Sequence, residues 1–186
     1  MSKILQPNSD VLEPKGIFTI KHYRDGKLLE EFESPNTITN EGKNKLLNVM
    51  FNGQTQLTTW YLGLVDNASF TAIAATDTYD GIDAANGWGE FASYTDPGNS
   101  DSAVTRPQWT EGAASSQSIT NGTVVSFDIT GSGTVKGLFL VGGTNSQTKS
   151  DSTASGNFLW CATTFTGGDR TVASSDVLSV TYTVNT

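Results

Sequence analysis

The chain has 186 residues, with 11 Lys plus Arg against 19 Asp plus Glu and a formal net charge of −8. One domain with a substantial core fits that length, and a second would be cramped. The acidic balance argues against a nonspecific grip on a phosphate backbone, so no direct nucleic-acid partner is expected.

Residues 1–15 hold Pro7 and Pro14 without sustained periodicity, which predicts an N-terminal arm ahead of a single domain over 16–186. The opening MSKILQPNSDVLEPKG has no apolar stretch like a signal-peptide core, so synthesis without a secretion signal is expected. No run of about 18 apolar residues occurs, and no membrane partner is expected.

GIFTIKHY and LLEEFE flank Asp25-Gly26, a strong hairpin signal. Phe18, Ile20 and His22 share one face of the first run, while Ile17, Thr19, Lys21 and Tyr23 share the other. Apolar groups on both faces predict a strand covered on both sides or placed at a subunit contact. His22, the single histidine, reads as a polar group on a partly exposed strand.

NTITNEGKNKLLNVMF then breaks the β pattern with one amphipathic helix over 41–51. Asn40 is expected to cap it, and Glu41 to meet the positive helix end and pair with Lys45. The stripe Leu46, Leu47, Met50 and Phe51 is expected to press on a sheet, and Asn52-Gly53 to stop the helix.

TTWYLGLV, 58–65, is the clearest core strand, with Trp60, Leu62 and Leu64 pointing one way and Tyr61 and Val65 the other. The span from Asp66 to about Ser118 is too long for a plain loop and must contain short strands or packed turns. Trp88, Phe91, Tyr94 and Trp109 are its expected anchors. TVVSFDIT (123–130), TVKGLFLVG (134–142), FLWCATTF (158–165) and DVLSVTYTV (176–184) follow as strands. The polar stretch 144–157 is expected to be a solvent-facing tip. The predicted fold class is all-β: a two-sheet antiparallel β-sandwich, jelly-roll or immunoglobulin-like, with one short α-helix near the N-terminus.

Chemistry is sparse. One histidine and one cysteine cannot furnish a zinc site, and Cys161 reads as a buried thiol without a disulfide partner. No catalytic, cofactor-binding or metal-ligating residue is assigned. DTYDGID (Asp77, Asp80, Asp83) and DPGNSD (Asp96, Asp101) offer oxygen ligands for calcium. Yet the EF-hand spacing is missing, and such residues also fill surface turns. Glu90 and Glu111 lie among the anchor aromatics, so Trp88, Tyr94 and Trp109 are candidate glycan-stacking residues as well as candidate loop pins. GSGTVKG lies between two β runs and opens no helix, which argues against a phosphate loop.

Six segments occur in order along 36–184: NEGKNKLLNVMF, TQLTTWYLGLVDN, GWGEFASY, TRPQWTEGAASSQSITNGTVVSFDI, GTVKGLFLV and LWCATTFTGGDRTVASSDVLSVTYTV. Together they resemble small β-rich virion structural proteins of tailed bacteriophages. The positions carrying the pattern are Trp60, Tyr61, Gly63, Trp88, Tyr94, Arg106, Pro107, Trp109 and Trp160. They read as fold determinants, with Arg106 fixed by Pro107 near a carboxylate. The resemblance implies a non-enzymatic decoration or cement protein on the outer surface of the virion capsid. Its partners would be the major capsid protein and further copies of itself, as a dimer or trimer. The resemblance equally fits a tail or head-fibre part that binds a host surface or carbohydrate. Basic residues concentrate early, so Lys21, Arg24 and Lys27 on the first hairpin form the candidate capsid-facing surface.

Overall fold

The structure, a computed structural model, describes residues 13–149 and 156–186. The expected arm over 1–15 therefore lies almost wholly outside the described residues. The chain runs β1 (Lys15–Arg24), β2 (Lys27–Pro35), β3 (Thr37–Ile38), α1 (Asn40–Phe51), β4 (Trp60–Asp66), β5 (Tyr94–Thr95) and β6 (Gln108–Trp109). It continues with β7 (Ser118–Thr120), β8 (Val125–Ile129), β9 (Gly133–Gly142), β10 (Phe158–Thr164), β11 (Arg170–Val172) and β12 (Val177–Asn185).

These strands form two antiparallel sheets of six strands each. The first has the order β2-β1-β12-β8-β5, with β7 also on β12; the second has β3-β10-β9-β4-β6, with β11 also on β9. Asp25 (φ 50°) and Gly26 (φ 71°) both adopt the left-handed conformation that a tight two-residue hairpin needs. The β1–β12 register sets Phe18 opposite Tyr182 and Ile20 opposite Val180, so their inward side chains stack as cross-strand pairs. The main core lies between the sheets, where Phe127, Leu178 and Val180 of the first meet Leu62, Leu64 and Leu138 of the second.

A second, smaller core explains why β4, β9 and β10 are apolar on both faces. Tyr61, Val65, Phe139 and Leu159 point away from the main core, and Tyr79, Ile82 and Trp88 cover them. The irregular stretch between β4 and β5 is thus a lid on the second sheet, which buries that sheet on both sides. Gly63 has a local reason within it: a Cβ there would stand 2.1 Å from Phe139 Cζ, so the ring needs the bare backbone. The expected anchors hold their places, with Trp88 2%, Phe91 6%, Tyr94 1% and Trp109 4% exposed.

Two expectations are corrected. The stretch 144–157 is not wholly a free tip: Ser146, Lys149 and Asn157 are buried, while 150–155 lie outside the described residues. The Lys149 ammonium donates to the Ala92 and Tyr94 carbonyls, which ties this stretch to the body. The helix also does not lie on its apolar stripe. Leu47, Met50 and Phe51 are exposed at 54%, 65% and 82%, and its one fully buried residue is Gly42.

Candidate functional site

The helix is fastened by its first turn. Thr39, not Asn40, is the N-cap: its hydroxyl accepts from the Gly42 amide and donates to the Leu159 carbonyl. Glu41 does not pair with Lys45. Its carboxylate accepts from the backbone amides of Leu159 (2.6 Å) and Tyr79 (3.0 Å), stitching α1 to β10 and to the lid. Burial pushes the Glu41 carboxyl above its ordinary range, and those two amides pull it back. Lys45 instead donates to Gln54 Oε1 at 3.0 Å. Gly42 lies on Trp160, where a Cβ would sit 2.7 Å from the carbonyl oxygen.

Docking by the first turn leaves the last turn standing proud. Asn52 caps it, and Gly53 at φ 66° turns the chain away. Between this turn and the sheets opens an apolar cleft of about 440 Å³, lined by Leu46, Val49, Met50, Leu57 and five aromatic rings, Trp60, Trp109, Phe158, Trp160 and Tyr182. The rings brace one another edge-on: Trp60 lies 5.4 Å from Phe158, 6.0 Å from Trp160 and 6.5 Å from Trp109, centre to centre. Trp160 Nε1 donates to the Tyr182 hydroxyl at 3.0 Å. Trp109 Nε1 is buried with no hydrogen-bond partner among the described residues. An orphaned donor beside an apolar cleft is unusual in a folded protein.

The remaining chemistry-bearing residues are consumed internally. Arg106, fully buried, donates through Nε to Glu90 Oε1 (3.0 Å) and through Nη2 to Glu90 Oε2 (2.8 Å). Its Nη1 donates to the Ser146 carbonyl at 2.8 Å, and Tyr94 donates its hydroxyl to Glu90 at 2.8 Å. The carboxylate expected beside Arg106 is therefore Glu90, and the pair latches the lid to the body. Glu111, by contrast, is exposed on the rim of the apolar cleft. The two carboxylates share no cleft of the kind hydrolysis would need.

His22 is also a correction. It is 3% exposed, and its Nε2–H donates to Asp176 Oδ2 at 2.8 Å, a partner 154 positions away. Arg24 grips the same carboxylate through Nε and Nη2, both at 2.7 Å. Those bonds hold the Asp176 carboxyl far below the ordinary carboxylate range. Glu30 flanks the other side, 3.7 Å from His22 Nδ1 and 2.7 Å from Arg170 Nε. Strand alternation placed His22 on the inward face, but only the fold reveals the acid that makes its burial tolerable.

Of the candidate capsid-facing residues, Lys21 pairs with Glu31 at 3.5 Å and Arg24 with Asp176, while Lys27 is exposed. The Asp residues considered for calcium serve turns. Asp77 accepts from the Ala74 amide and Trp88 Nε1, Asp83 from the Glu90 amide, and Asp96 from the Gly98 amide. No group of three or more potential metal ligands occurs among the described residues. Trp88, Tyr94 and Trp109 are buried and act as pins, with Trp109 also facing the apolar cleft. The signal that sequence reading missed is in the helix, whose last turn is apolar yet remains uncovered. Comparison with known proteins found no matching family model, no matching curated protein and no matching solved structure.

Proposed function

We propose that the chain is a structural virion protein that binds the assembled bacteriophage capsid through non-covalent contacts, as a decoration or cement protein. On this reading the two sheets form a jelly-roll or immunoglobulin-like sandwich that acts as a rigid carrier. The observation that carries the reading is the uncovered last turn of α1, with Met50 exposed on the rim of the apolar cleft and Phe51 exposed next to it along the chain. Exposed apolar surface at a fixed, aromatic-braced site favours a dry contact with another protein. An apolar segment of the major capsid protein fits the cleft. The resemblance along 36–184 supplies the choice of partner. Binding only the assembled shell would shift its stability by mass action.

Electron cryomicroscopy of heads of the phage that encodes the chain tests this. Density for the two-sheet body at symmetric positions, with α1 against the shell, supports it. Heads lacking such density would overturn it.

A further inference from the structure

A second concavity lies on another part of the molecule and shares no lining residue with the apolar cleft. It is a groove of about 580 Å³ between β6 and the start of β8, within the size range of small-ligand sites. Its walls carry Gln108, Gln147, Thr110, Thr123 and Asn99, all exposed, and its floor holds Tyr61 and Asp96. Among the described residues lining the groove the one cation is Arg106, whose guanidinium is spent on Glu90 and Ser146.

Asp96 is the informative residue. It is 4% exposed yet lines the groove. Its Oδ1 accepts from the Gly98 amide at 2.9 Å, which fixes the rotamer, the Asn99 amide also supports the carboxylate, and its Oδ2 receives a long hydroxyl contact from Thr105 at 3.4 Å. A carboxylate offers about four acceptor positions, so capacity remains on a side chain already held in place. The turn presenting it is closed by the Asp96 amide donating to the Ser102 carbonyl at 2.9 Å. Within that turn Ser100 (φ 54°) and Asp101 (φ 55°) both sit in the left-handed region, which is costly for residues with side chains.

We propose that this groove binds uncharged saccharides, with Asp96 and the carboxamides of Gln108 and Gln147 taking the sugar hydroxyls. The chemistry favours that class. A carboxamide offers a donor and an acceptor side by side, the complement of neighbouring hydroxyls, and a carboxylate accepts strong bonds from hydroxyl donors. Val124, 55% exposed on the wall, supplies an apolar contact for the C–H face of a sugar ring. An anionic glycan would meet the Asp96 carboxylate, and no cation of the groove lining is free to receive it: Arg106 is paired with Glu90, and the Lys149 ammonium, which acts on Asp96 through its charge, is held by the Ala92 and Tyr94 carbonyls. This assignment differs from aromatic stacking on Trp88, Tyr94 and Trp109, and it stands apart from the capsid reading.

The test is titration of the purified chain with short homo-oligosaccharides of glucose, galactose or mannose, following glutamine side-chain amides by NMR. At least one oligosaccharide should move the Gln108 and Gln147 signals. The Gln108→Ala/Gln147→Ala variant should bind it about tenfold more weakly or worse. Both residues are exposed, so its melting midpoint should stay at the wild-type value. Asp96→Asn gives a second readout, because it keeps an acceptor for the Gly98 amide while weakening the hydroxyl contacts. The proposal fails if no neutral sugar moves these signals, or if the double variant binds undiminished. It also fails if sulfated polysaccharides or an unstructured peptide bind where neutral sugars do not.

Discussion

Replacing Arg106 with Met probes the latch that holds the lid to the body. Both side chains of the Arg106–Glu90 pair are 0% exposed, so removing the cation strands a carboxylate out of reach of water. The variant loses two bonds to Glu90, one to the Ser146 carbonyl and one to the Tyr79 hydroxyl. Tyr94 keeps its side-chain bond to the carboxylate. Breaking a buried ion pair from one side costs about 3–5 kcal/mol, a large part of a domain's usual ~5–15 kcal/mol. At ~2–4 °C per kcal/mol for a domain of this size, the melting midpoint should fall by roughly 6–20 °C. Urea unfolding with an unchanged slope would read the loss directly. Adding Glu90→Gln should then recover part of it, because the stranded charge is gone while an acceptor for Tyr94 remains. An Arg106→Met variant within about 1 kcal/mol of wild type, or strictly additive losses in the double variant, would refute the reasoning.

Three further outcomes follow from single residues. Gly42→Ala would ordinarily favour a helix by about 0.5–1 kcal/mol, but here the new Cβ meets the Trp160 carbonyl at 2.7 Å. A net loss of about 1–3 kcal/mol is expected on thermal unfolding, and a gain would show that α1 does not rest on β10. Asp176 is held below its unfolded value by Arg24 first, so its stabilising effect is present above about pH 4 and lost as pH falls below that. Asp176→Asn should flatten the acid limb of a stability-against-pH curve; an unchanged limb would contradict the assignment. Burial pushes the Cys161 thiol up to about 12, so the native protein should resist alkylation and the urea-unfolded chain should react fully. Rapid native labelling would mean that the main core opens.

Strand alternation made most of the two sheets readable. Phe18, Ile20, Val125, Phe127, Leu178 and Val180 all turned inward as their spacing implied, because a buried face imposes a period of two. The runs of β4, β9 and β10 are apolar on both faces and covered on both, and the outer cover comes from an irregular stretch with no period to read. The helix was legible as a helix, whereas its docking was not. An amphipathic stripe marks which side is apolar and not which turn is seated, and Gly42, with no side chain to weigh, makes the contact. The partners of His22 and Arg106 were invisible for another reason. Asp176 and Glu90 meet them through the fold, 154 and 16 positions away along the chain.

Co-sedimentation with intact heads of tailed bacteriophages is the most direct trial of the proposed capsid binding. Wild-type protein should pellet with heads and saturate at a fixed number of copies. Met50→Asp/Phe51→Asp alters only exposed side chains, so it should melt normally and yet stay in the supernatant. Wild-type protein that ignores intact heads, or a double variant that pellets as well as wild type, would contradict capsid binding through α1.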